Sequence, residues 1–138
     1  VPQYPVETFE SQSYGLGFPQ PYPFGVPEEL PRNAFTNSAA STFVAFTGQG
    51  RVLTINASNA SSTTSFVQVF NLASAPATGA VPFISVPLLT ATAGTLTWTP
   101  SGRWFTSGCA VAMSSTQTSL TIAATGALID VQYIPQVI

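Results

Sequence analysis

Short apolar runs separated by small polar residues leave this chain little room for anything but antiparallel β-structure. Between Gly102 and Tyr133, apolar runs at 109–113, 120–124 and 128–133 alternate with Ser, Thr, Gly and Gln, the punctuation of strands joined by tight turns. Three strands in a meander are expected there. The last is the cleanest: Ile129, Val131 and Tyr133 fall on one side of the pleat and Asp130 and Gln132 on the other, the period-two pattern of a half-buried strand.

The same reading extended upstream predicts eight strands, at 42–46, 51–56, 65–72, 81–87, 94–99, 108–113, 119–123 and 127–134. Short strands at roughly ten-residue spacing point to a sandwich or barrel. The expected fold is therefore all-β: an antiparallel, jelly-roll-like β-sandwich of about eight strands. Residues 72–80 have helix-like spacing, but Pro76 and Gly79 interrupt it and a loop is expected. Pro82 and Pro87 confine their strand to an edge or to a very short length. The strand at Phe66 to Phe70 is apolar on both faces, so a second sheet or a neighbouring subunit is expected over its outer side.

Residues 1–33 differ from everything after them. They hold seven of the 12 prolines, four of the five acids (Glu7, Glu10, Glu28, Glu29) and the aromatics Tyr4, Phe9, Tyr14, Phe18, Tyr22 and Phe24. No strand or helix period survives. Prolines at 19, 21 and 23 fix alternate φ angles and push the residues between them into extended geometry. Domain organisation is thus an extended Pro-rich arm, 1–33, ahead of a β-sandwich domain, 34–138. Disordered segments are poor in aromatics. This arm is rich in them, and those six side chains are the expected contacts with a partner protein or a neighbouring copy.

Charge excludes several function classes. Only 6% of the residues are charged, against about 25% in an ordinary soluble domain. With so few charges to guard the surface and strand edges, much of it is expected to be covered by protein, most economically in a cyclic homo-oligomer, a trimer. Arg32, Arg51 and Arg103 are scattered and outnumbered by the acids, which argues against a nucleic-acid partner. No run approaches eighteen apolar residues, so no membrane span is expected.

Chemistry is equally sparse. The chain has no His and, with its three basic residues all Arg, no Lys, so Ser/His/Asp and Cys/His machinery, His-based metal sites and Schiff bases are not expected. The β-domain holds one acid, Asp130, which cannot make a carboxylate pair. The chain is expected not to be an enzyme, to have no catalytic residues and to use no metal or cofactor. Cys109 lies in the run Cys-Ala-Val-Ala-Met and reads as a buried small hydrophobe. Asn56-Ala-Ser58 and Asn59-Ala-Ser61 match the glycosylation pattern, which arises easily by chance in a Ser/Thr/Ala-rich stretch. Trp98, Arg103, Trp104 and Phe105 read as core or subunit contacts before a sugar platform, with Arg103 expected to stack on Trp104. Phe66, Phe70 and Trp104 are the candidate oligomer contacts.

Several motifs carry a resemblance. The stretch from Phe66 to Pro82, which contains Pro76-Ala-Thr-Gly79-Ala-Val-Pro82, is followed by Gly102-Arg-Trp-Phe105-Thr-Ser-Gly108, Ser114-Ser-Thr116 and Asp130-Val-Gln-Tyr133. Over about residues 45 to 134 this resembles a domain of small virion proteins of tailed bacteriophages. Asn71 stands where that pattern often has an acid. The resemblance implies a virion structural protein at the capsid surface, a cement or decoration protein. Such a protein would oligomerise on the head shell and bind the major capsid protein, or another virion protein, through its arm. A different class remains open: a tail or head fibre module gripping host-surface glycans through the Trp98/Trp104 region.

Overall fold

The computed structural model describes residues 30–98 and 101–136, and the statements below concern those residues. They form nine strands and no helix: β1 (Arg32–Phe35), β2 (Thr42–Thr47), β3 (Gly50–Asn59), β4 (Ser65–Phe70), β5 (Ile84–Leu88), β6 (Ala93–Thr97), β7 (Arg103–Phe105), β8 (Gly108–Ser114) and β9 (Ala127–Pro135). Every ladder between them is antiparallel.

Two sheets share these strands. One runs β7-β3-β9-β1, with β6 also paired to β3; the other runs β2-β8-β4-β5. Leaving aside the three-residue β7, the orders 1-9-3-6 and 2-8-4-5 are those of a jelly roll, the double Greek key expected from the strand spacing. Between the sheets lie Val52, Ile55, Val67, Val69, Phe105, Cys109, Val111, Met113, Ile129 and Val131, all 5% exposed or less. Alternation along β9 delivers Ala127, Ile129 and Val131 to this core and turns Leu128 and Gln132 outward.

The meander expected over 102–133 does not form. Strand β8 already has β2 on one side and β4 on the other, with Val111 opposite both Phe43 and Val69. The apolar row of β9 therefore crosses to the facing sheet, where β3 and β1 flank it. Two positions on this path admit only glycine. At Gly108 (φ 148) a Cβ would lie 2.7 Å from the carbonyl oxygens of both Phe46 and Leu72. At Gly126 a Cβ would fall on the Ala40 carbonyl, beside the Ala40–Ala127 bridge that opens β9.

Residues 119–123, expected as a strand, make a single bridge between Ile122 and Ser114. The turn before them, 114–119, is held by side chains instead of a ladder. The Gln68 amide nitrogen donates to Thr116 O (2.8 Å) and Gln117 O (3.0 Å). The Ser114 hydroxyl donates to Thr116 O (2.7 Å) and accepts from the Thr121 amide (3.0 Å). The resulting loop lays Leu120, fully buried, over Phe70, Ala110 and Ala112. So Gln68 and Phe70, on the outer face of β4, are covered by the chain's own loop, while Phe66 on the same face is half-buried. Strands β1 and β7 were not anticipated: β1 has four residues and β7 three, too short to show a period.

Candidate binding surfaces

At one end of the sandwich the aromatic side chains meet. Phe46 stacks on Tyr133 (4.5 Å between centroids) and meets Phe105 edge-on at 6.3 Å. Phe83 lies 5.2 Å from Phe105 and carries the Arg103 guanidinium 4.5 Å above its ring. Arg51 stands 5.7 Å over Trp104 and donates to Ser101 O (2.7 Å). The expected Arg103–Trp104 stack is thus replaced by two others. Consecutive strand residues face opposite ways, whereas Arg51 is the cross-strand partner of Trp104 and shares its face.

The remaining site expectations separate. Trp104 is 55% exposed, whereas Trp98 is half-buried against the core, so the two do not form one platform. Phe66 is half-buried, but Phe70 is only 3% exposed and belongs to the small core under Leu120. Its role as an oligomer contact is therefore corrected: the chain's own loop occupies it. Tyr4, Phe9, Tyr14, Phe18, Tyr22 and Phe24, the proposed arm contacts, lie outside the described residues.

A second surface escaped the sequence reading. On the outer face of the larger sheet, an open depression of about 700 Å³ lies among Phe35, Asn56, Thr95, Leu128 and Asp130. Pairing puts Phe35, Asp130, Asn56 and Thr95 in one row across four strands. Thr95 Oγ1 donates to Asn56 Oδ1 (2.7 Å), while Asp130 Oδ1 is buried without a hydrogen-bond partner. Alternation in β9 signalled that Asp130 points outward, but β1, which supplies Phe35, straddles the boundary drawn at residue 33 and precedes the first expected strand.

Reactive groups are few among the described residues. Cys109 is fully buried, and burial pushes its thiol up to about 12, so it is held protonated. Asn59 is 2% exposed; its amide nitrogen donates to the carbonyls of Thr63, Leu88 and Leu89, and its oxygen accepts from the Ser61 amide. No three His, Cys, Asp or Glu residues gather as metal ligands among the described residues. Comparison of the chain with family models, curated proteins and solved structures finds no match.

Proposed function

We propose that the chain is a structural module of a phage virion, a cement or decoration protein that oligomerises on the head shell and stabilises it through its N-terminal arm. One observation carries the reading. The sandwich exposes Phe35 (60%), Val81 (76%), Leu89 (62%), Trp104 (55%) and Leu128 (47%), while residues 30–138 contain four charged side chains: Arg32, Arg51, Arg103 and Asp130. Apolar side chains on a surface so short of charge are best accommodated under other protein. The jelly-roll order is compatible with this but does not carry it, because one fold hosts many functions.

The mechanism is mass action. A protein that binds only the assembled shell stabilises that shell by its binding free energy. The module itself does no chemistry in this reading; it supplies area, and the arm supplies reach. Its expected partners are the major capsid protein and further copies of itself, with a trimer as the unit.

The depression around Asp130 favours the second reading, a glycan-binding fibre module. Acceptor and donor groups beside an exposed aromatic ring are the elements of a saccharide site. Copy number separates the two. Quantitative mass spectrometry of purified particles should give many copies per particle for a cement protein, and a handful would exclude it. Glycan-array binding lost in Asp130→Asn, with the fold retained, would select the fibre module.

A further inference from the structure

We infer that the depression on the outer face of the larger sheet binds a neutral saccharide, with Asp130 and Asn56 holding a pair of hydroxyls and Phe35 lying against a sugar ring. The residues that alternate with these point the other way. Ile55, Ile129 and Val131 are 1% exposed or less and lie in the core, so the pleat turns Asp130 and Asn56 to the outer side. Cross-strand partners share a face, which brings Phe35, opposite Asp130, and Thr95, opposite Asn56, into the same row. The depression over that row, about 700 Å³, falls within the roughly 300–1,000 Å³ of small-molecule sites.

The row sets an acceptor beside a donor. Asp130 Oδ1 has no hydrogen-bond partner among the described residues. The side chain is only half-buried, and rotation about its Cβ–Cγ bond exchanges the two oxygens, so a ligand can reach the carboxylate. A carboxylate only accepts, and it requires a donor. Asn56 is the reverse: its Oδ1 already accepts from the Thr95 hydroxyl (2.7 Å), while its amide hydrogens go to no described residue. Adjacent hydroxyls of one sugar meet both needs, the first donating to Asp130 and the second accepting from Asn56.

Charge and apolar surface set the class of ligand. Asp130 is the one charged side chain lining the depression, and Arg51 lies five residues from Asn56 along β3, about 17 Å away. An anionic sugar would meet a carboxylate and no cation. The next row on this face is Gln132, Thr54 and Thr97, amides and hydroxyls that suit an uncharged polyol. Phe35 and Leu128, 60% and 47% exposed, offer apolar surface to the C–H faces of sugar rings. Thr36 holds β1 to β9 beside Phe35: its amide donates to Ile129 O (2.9 Å), and its hydroxyl accepts from the Ile129 amide (3.0 Å). The inference rests on the glycan-binding reading and narrows it to this face and to uncharged ligands.

A glycan array carrying neutral, sialylated and sulfated oligosaccharides, probed with the full-length chain, tests this, followed by calorimetric titration of the strongest neutral hit. Asp130→Asn keeps the side chain's shape and removes its charge; Phe35→Ala removes a ring that is mostly exposed, and thermal melting checks that both variants fold. The natural chain should prefer neutral glycans to their sialylated and sulfated forms. Asp130→Asn should weaken binding about tenfold or more. Phe35→Ala should weaken it about fivefold, and Phe35→Tyr should restore it. Affinity should be the same at low and high salt, because the ligand carries no charge.

Neutral glycans bound equally well by the natural chain, Asp130→Asn and Phe35→Ala would overturn the inference and leave the fibre reading standing, with the glycan seated elsewhere. Loss of binding in Trp104→Ala alone would place that seat at Trp104. Binding confined to sialylated or sulfated glycans would likewise overturn the inference and keep the fibre reading. No binding to any glycan would overturn both. Salt-sensitive binding of an oligo-arginine peptide, lost in Asp130→Asn and unaccompanied by glycan binding, would make the carboxylate a seat for a cationic peptide instead.

Discussion

Single residues divide here into those the core depends on and those the surface offers. Phe105 is fully buried and touches both Phe46 and Phe83, so Phe105→Ala should lower stability by about 3–5 kcal/mol in urea unfolding, and an unchanged midpoint would contradict its place in the core. Cys109 makes a prediction about pH. Its folded pKa, about 12, lies above the ordinary 9.0, so between those values the folded state binds a proton that the unfolded state releases. Stability from this group is intact below pH 9 and falls as pH rises above it, by up to about tenfold in the folding equilibrium per pH unit. Denaturation curves from pH 7 to 11 on the natural chain and on Cys109→Ala should diverge only in the upper part of that range. Thiol reagents should leave the natural chain unlabelled until it unfolds. Asn59, with its amide held by three carbonyls, should carry no glycan despite its pattern.

Elements show where sequence reasoning succeeded and where it stopped. Alternation in β9 and dense apolar runs in β4 and β8 placed those strands closely, because burying one or both faces of a sheet leaves a period that survives in the sequence. Pairing is different. Nothing local in β8 says that β2 and β4 will occupy both its edges, so the expected meander gave way to a crossing between sheets. Residues 119–123 were misread as a strand because the group that holds the preceding turn, Gln68, lies some fifty residues away. For the same reason the depression at Asp130 was only half legible: the outward carboxylate was visible, whereas Phe35 entered the row through a four-residue strand. Trp104 is exposed, and its partner Arg51 could not be read without the register of β7 on β3. Gln68→Leu should therefore leave the sandwich folded while releasing the loop. Its cost should be about 1–3 kcal/mol, with faster hydrogen exchange confined to residues 114–121 and the backbone beneath Leu120. Uniformly faster exchange throughout the sandwich would mean that Gln68 supports the whole fold rather than the loop.

At the scale of the whole molecule, a jelly-roll sandwich with few charges and several exposed apolar side chains follows a segment, residues 1–29, that holds four of the five acids. Trp104→Ala is the sharpest surface test of cover by other protein. The ring is more than half exposed, so its loss should change stability by about 0.5 kcal/mol or less while weakening self-association measured by sedimentation; a variant that associates like the natural chain would remove Trp104 from the interface. The reading as a cement protein is tested most directly by cryo-EM reconstruction of the intact particle. The expected result is density for the sandwich at repeated symmetry positions over the head, with residues 1–29 in contact with the shell or with adjoining copies. Density confined to the tail or to a single vertex would contradict it, and would turn attention to the face around Asp130.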